Sequence, residues 1–252
     1  MSIISCSGYC ASGKDTVARI IQYLDWVHNS NPMPTISFPK MLNQLENKEF
    51  ESFDQYSSWK NVKFAGKLKV IASLLTGIPV KDFESQDVKN SYLGKEWDYY
   101  KVELYGNSPK DYADHKTIYC DKESADQYLC DDDHIITYNK MKIRDFLQRL
   151  GTDSIRDYLH LNTWVNALMC DYSVDSKWVI SDCRFPNELQ AVKDKNGITI
   201  RVNRIDQILK DLHISETALD NYQFDYVINN ETNNFEKLVN DVKDILIKEH
   251  LL

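Results

Sequence analysis

The sequence predicts an α/β fold, a mostly parallel sheet flanked by helices. Short apolar runs with abrupt polar ends alternate with helical patterns, which implies parallel strands joined by right-handed crossovers. The first of these runs passes through a glycine-bearing turn directly into a helix. A chain of 252 residues, 42% hydrophobic and 27% charged, is long enough to bury one full core in a single domain.

The opening residues carry the most chemistry. The apolar run 3–6 leads into Gly8-x4-Gly13-Lys14, and Val17, Ile20, Ile21 and Leu24 then recur at the spacing of a buried helix stripe. Strand, glycine-rich turn and helix in that order read as a phosphate-binding loop, the alternative being an ordinary glycine-containing strand–helix turn. The glycines let backbone N–H groups turn inward, the helix start adds its positive dipole end, and Lys14 adds a mobile cation. Gly8, Ser12, Gly13, Lys14, Asp15 and Thr16 are therefore the expected nucleotide-phosphate site. The position after the lysine, usually a hydroxyl that meets Mg²⁺, is Asp15, with Thr16 next. Either is a candidate metal ligand.

Residues 28–58 read as polar and irregular, with Pro32, Pro34 and Pro39 breaking any long element. A short strand or strand end over 62–66 precedes a helix over 67–75. Lys67, at that junction, is a candidate phosphate contact or an ordinary solvent-facing lysine. Residues 80–140 form the expected irregular insertion, with a hairpin near 117–138, and it reads equally as a lid or as a disordered stretch. A helix follows over 142–150 and another over 162–170. Strands over 178–182, 198–202 and 225–229 precede a last helix bearing Phe235, Leu238, Val239 and Val242 on one side.

Ligands in such sheets sit beyond the carboxyl ends of the strands. The strand 178–182 ends at Asp182, with Arg184 and Glu188 just after it. Asp182 suits Mg²⁺ in a phosphate-loop enzyme, and it equally suits the cap of the next helix. Arg144, Gln148 and Thr152 recur every fourth residue and share a face if the helix persists that far, either as a ligand stripe or as a solvated face. Trp164 is a base-stacking candidate or a core residue.

A net charge of −8 without a basic block argues against a nucleic-acid polymer as partner. No apolar run approaches the roughly eighteen residues of a membrane span, and no signal pattern opens the chain, so cytoplasmic residence is expected, in the host cytoplasm if the gene is a phage's. The six cysteines show no C-x2-C pairs and are expected as reduced thiols, Cys6 and Cys183 in or beside buried strands. Cys120 and Cys130 do not make a convincing metal clip, and the histidines show no metal-ligand spacing.

Taken in order, several stretches resemble the bacteriophage-type deoxynucleoside monophosphate kinases. They are Ser12-Gly-Lys-Asp-Thr16, Phe64-Ala-Gly-Lys-Leu-Lys69, Arg144-Asp-Phe-Leu-Gln-Arg-Leu-Gly-Thr152-Asp, Asn162-Thr-Trp-Val-Asn-Ala-Leu168, Ser181-Asp-Cys-Arg-Phe-Pro-Asn-Glu188, and His213-x-Ser-Glu-Thr-Ala-Leu219 running into residues 224–229. Asp15 departs from the general phosphate-loop pattern but is similar to this family. The resemblance covers nearly the whole chain except about 28–58 and 95–138. It implies a phosphate-loop NTPase-type fold, ATP with Mg²⁺, and transfer of the γ-phosphoryl group to a deoxynucleoside monophosphate. Carried over by position, Arg144, Gln148, Gly151, Thr152 and Trp164 form the monophosphate and base pocket. Lys14, Asp182, Arg184 and Glu188 form the catalytic cluster, with Asp15, Thr16 and Asp182 near the metal. The implied partners are small molecules, with no polymer and no membrane; a homodimer stays open. The alternatives are a phosphate-loop kinase for another small acceptor and a nucleotide-binding switch without chemistry.

Overall fold

The computed structural model describes residues 2–47, 53–104, 116–128, 134–173, 175–205, 217–232 and 234–252. Cys130, the acidic run 131–133 and the resembling residues 213–216 lie outside the described residues. In chain order the elements are β1 (Ser2–Ser7), α1 (Lys14–Asn29), α2 (Phe38–Glu46), β2 (Trp59–Val62), α3 (Gly66–Thr76), α4 (Gln86–Asn90), β3 (Tyr99–Leu104), β4 (Lys116–Cys120), α5 (Lys122–Asp126), β5 (His134–Asn139), α6 (Ile143–Gln148), a π-helix (Arg149–Leu159), α7 (Thr163–Met169), β6 (Lys177–Ile180), α8 (Pro186–Lys193), β7 (Ile198–Arg204), β8 (Tyr226–Asn230) and α9 (Phe235–Lys248). The chain divides into two units, residues 1–67 with 161–252 and residues 68–160.

The first unit is built on a five-stranded sheet in the order β2-β6-β1-β7-β8, and each neighbouring pair is parallel. Alternation along the strands sends side chains to opposite faces. Ile4, Val179 and Ile200 pack with Val17, Ile20 and Ile21 of α1 and with Leu238 and Val242 of α9. Ile3, Trp178 and Ile180 pack on the other face with Val165 and Leu168 of α7 and Leu189 and Val192 of α8. Full burial of each such aliphatic side chain contributes about 1.5–3 kcal/mol, so both faces of the sheet need their helices. Cys6 and Cys183 are buried free thiols, as expected, and burial pushes the Cys6 thiol up to about 12. Among the described residues, no helix is long and apolar enough to cross a membrane.

The second unit holds a three-stranded antiparallel sheet, β4-β3-β5, inside the stretch expected to be irregular. β4 and β5 do not pair with each other as a hairpin. Both pair with β3, where Val102 opposes Ile118 on one side and Ile136 on the other. Arg149 lies against the rings of Tyr99 and Tyr119, at 4.5 and 3.9 Å from ring centre to guanidinium. A separate core of Ala72, Phe83, Met141, Ile143 and Phe146 packs this unit.

Two other elements differ from the sequence expectation. Residues 28–58 contain α2, because Pro39 sits in its first turn, where the missing N–H has no intrahelical partner to lose. Phe38, Met41 and Leu42 then bury one face. The helix through Arg144 does continue past residue 150, but from Arg149 to Leu159 it is a π-helix. His160 N–H bonding to the Ile155 carbonyl at 3.1 Å is one bond of that wider turn. Such windings are often found at functional sites.

Candidate active site

The loop between β1 and α1 takes its shape from its glycines. Gly13 is the N-cap of α1 with φ of 101°, a left-handed conformation that disfavours any side chain. A Cβ there would meet Asn230 Nδ2 at 2.4 Å, and one at Gly8 would meet the Val202 carbonyl at 2.3 Å. The loop therefore lies tight against the ends of β7 and β8, and Asn230 Nδ2 donates to the Ser12 carbonyl at 2.9 Å. Lys14 opens α1, is 6% exposed, and donates from Nζ to the Tyr9 carbonyl at 2.9 Å. Ser12 N–H also donates to that carbonyl, at 3.1 Å.

Asp15 does not stand alone after the lysine. Its Oδ1 accepts from Lys63 Nζ at 3.0 Å and from Ser181 Oγ at 2.9 Å. Burial pushes the Asp15 carboxyl up, but Lys63 and the Ser181 hydroxyl outweigh it and hold the group below the usual carboxylate range. Thr16, one residue on, lines a cleft with Gly13, Arg204, Asn230 and Thr232.

Beyond β6, Asp182 turns toward β2. Its two oxygens accept the backbone N–H groups of Phe64 and Ala65, at 2.8 and 3.0 Å, and so fix the turn that leads into α3. Glu188, in the first turn of α8, reaches back to the N–H groups of Arg184 and Phe185 at 2.7 and 3.0 Å. It caps the helix and shapes the backbone that carries Arg184. Burial, with the Asp182 charge added, pushes the Glu188 carboxyl up to about 8, although the two N–H groups and Arg184 pull it back in part. The sequence offered Asp182 as a metal ligand or helix cap and Glu188 as a charged catalytic group; the hydrogen bonds described above for both carboxylates are to loop backbone.

Some functional candidates were missed in the sequence. Arg204, at the end of β7, touches the Ala11 carbonyl and the Thr232 hydroxyl, each at 3.3 Å, beside the cleft. Arg201 is 8% exposed and pairs with Asp220 at 2.7 Å, and the Tyr9 hydroxyl donates to the same carboxylate at 2.7 Å. Through Tyr9 that triad ties the β1–α1 loop to β7. The available signal was the rule that strand carboxyl ends meet ligands, applied to β7 as it was to β6.

Lys67 is turned to Asp171 at 3.0 Å, with both side chains about half exposed, and is not on the phosphate loop. Trp164 is buried on α7 of the same unit. The other expected pocket residues belong to the second unit. There Arg144 donates to Gln86 at 2.7 Å, Gln148 ends α6, and Gly151 and Thr152 are buried in the π-helix, Gly151 against Leu68.

Among the described residues, no group of three or more His, Cys, Asp or Glu side chains could hold a metal ion. Mg²⁺ commonly needs only one or two protein oxygens when phosphates supply the rest. Thr16 fits that role, since its side chain is in the first turn of α1 at the cleft. Asp15 and Asp182 have the other partners described above.

A sequence model of the deoxynucleotide monophosphate kinase family matches residues 91–242. That span includes Arg144 through Glu188, whereas the phosphate loop precedes it. A protein of Acanthamoeba polyphaga mimivirus described under the same family name is 34% identical over 105 residues, which cover 35% of this chain and 54% of that protein. A deoxynucleotide monophosphate kinase of Enterobacteria phage T4 is 29% identical over 113 residues, covering 43% of this chain and 46% of that protein. The chain thus spans about half the length of these curated relatives.

Proposed function

The chain belongs to the deoxynucleotide monophosphate kinase family, and on that premise we propose that it transfers the γ-phosphoryl group of ATP to a deoxynucleoside monophosphate, giving ADP and a deoxynucleoside diphosphate. The observation that carries the reading is the loop from Gly8 to Lys14, with Gly13 left-handed at the start of α1. This geometry turns backbone N–H groups and a helix N-terminus toward a polyphosphate. The cleft beside Thr16 and Arg204 suits the nucleoside half of the donor.

The chemistry asks little of a base. An acceptor phosphate oxygen forms a bond to the γ-phosphorus as the bond to the β,γ-bridging oxygen breaks, and ADP leaves with that electron pair. No proton has to move, since the acceptor is already an anion. The protein's work is in-line positioning and cationic charge around the transferring group. Lys14 and Arg184 supply charge, and Glu188 holds the backbone of Arg184 in place. In this reading Arg144, Gln148, Gly151 and Thr152 are the acceptor-binding candidates of the second unit and Trp164 that of the first. Thr16 would hold Mg²⁺ together with donor phosphate oxygens, and the ion would supply positive charge against that developing on the transferring group.

The test is a panel of acceptors with ATP and Mg²⁺: each deoxynucleoside monophosphate, the matching ribonucleotides, and small alcohols. Diphosphate product from at least one deoxynucleotide is expected. Transfer to an alcohol alone, or ATP binding without any transfer, would replace this reading with a different kinase or a switch.

A further inference from the structure

A carboxylate in the first turn of the phosphate-loop helix repels the anion that the loop is shaped to hold, unless its charge is cancelled. Here it is cancelled from the neighbouring strands. Lys63 directly follows β2 and Ser181 directly follows β6, and both reach Asp15 Oδ1, at 3.0 and 2.9 Å. Ser181 Oγ also lies 3.2 Å from Asn61 Oδ1, which ties the cluster to β2. The Lys63 and Asp15 side chains are 24% and 53% exposed. A partly exposed pair of this kind adds little to stability. Its effect is to hold an ammonium group at the carboxyl edge of the sheet, next to the loop.

Sheet order says which end of the nucleotide comes there. In β2-β6-β1-β7-β8 the loop leaves the central strand. The cleft lined by Arg204, Asn230 and Thr232 lies on the β7–β8 side, and Lys63 and Ser181 lie on the β6–β2 side. A nucleoside in the cleft sends its phosphates across the start of α1 toward β6 and β2. We propose that Lys63 is a second cation of the donor site and contacts the terminal phosphate, with Asp15 as its positioning residue. The identity of that phosphate as the transferred group rests on the kinase reading above; its contact with Lys63 does not.

Calorimetric binding of ADP and of a non-hydrolysable ATP analogue, each with Mg²⁺, tests the assignment on the full chain. Lys63→Met is expected to weaken the analogue about tenfold or more while ADP affinity changes less than about twofold, and Lys63→Arg is expected to recover most of the loss. If Lys63→Met does not fold, as read by thermal melting, Lys63→Gln takes its place. Asp15→Asn is expected to lower kcat more than it raises the KM for ATP. Equal losses for ADP and the analogue, or no loss for either, would overturn the proposal. If the wild-type chain binds nucleotide but transfers nothing, the kinase reading fails, and the ATP-against-ADP difference still decides the role of Lys63.

Discussion

Asp182 and Phe64, 118 positions apart in sequence, are joined by a 2.8 Å hydrogen bond from the Phe64 backbone N–H to the Asp182 carboxylate. The neighbouring Ala65 N–H uses the other oxygen at 3.0 Å. A single side chain at the end of β6 thus shapes the turn that separates Lys63 from Lys67. Asp182→Ala leaves both N–H groups without that acceptor and is expected to cost about 1–3 kcal/mol. Denaturant unfolding checks this, with Asp182→Asn showing a smaller loss because it retains one acceptor oxygen. Unchanged stability in the Ala variant would remove the clamp from the account.

Gly13 and Gly66 should respond oppositely to a methyl group. Gly13→Ala forces a Cβ into a left-handed residue and against Asn230, at a cost of about 1–2 kcal/mol and with weakened ATP binding. At Gly66 a Cβ would meet nothing within 4 Å. Gly66→Ala is expected to be neutral or to stabilise by up to about 1 kcal/mol. Paired thermal melts decide this, and equal losses at both sites would contradict the loop geometry.

Lys14→Ala should reduce both ATP affinity and turnover. Arg184→Ala should act mainly on kcat, by roughly a thousandfold if the guanidinium meets transition-state charge. Steady-state kinetics with both substrates varied separates the two effects. A wild-type rate in Arg184→Ala would take that residue out of the site.

The buried Glu188 carboxyl gives a pH dependence with a definite sign. Burial and the Asp182 charge raise it from 4.5 to about 8 in the folded chain. The folded state therefore holds a proton that the unfolded state has released. Its contribution is full below about 4.5 and is lost as pH rises through about 8, an effect of up to a few kcal/mol. Glu188→Gln cannot titrate there, so wild-type stability should fall relative to the variant between pH 5 and 8. Parallel curves would mean that Glu188 is ionised throughout, held by the N–H groups of Arg184 and Phe185.

Much of the first unit was legible because its patterns are local. The apolar runs of β1, β6, β7 and β8 and the stripes of α1 and α9 stand in the sequence at their own periods. Pro39 misled because a proline marks a break or a helix start equally well, and only the surrounding packing decides. The order β4-β3-β5 was hidden because pairing across long connections leaves no local signature. For the same reason the loop motif was readable but the partners of Asp15 and Asp182 were not. They come from strands adjacent in the sheet and distant in the chain. Lys67 stood out by its position before a helix, but it pairs with Asp171, and it is Lys63, just after β2, that reaches Asp15.

The most direct test of the account is phosphorus NMR of the purified chain with ATP, Mg²⁺ and one deoxynucleoside monophosphate after another. With a true acceptor, the β-phosphate signals of ADP and of the new deoxynucleoside diphosphate should grow together in equal amounts. ADP accompanied only by inorganic phosphate, or an unchanged ATP spectrum with every acceptor, would contradict it.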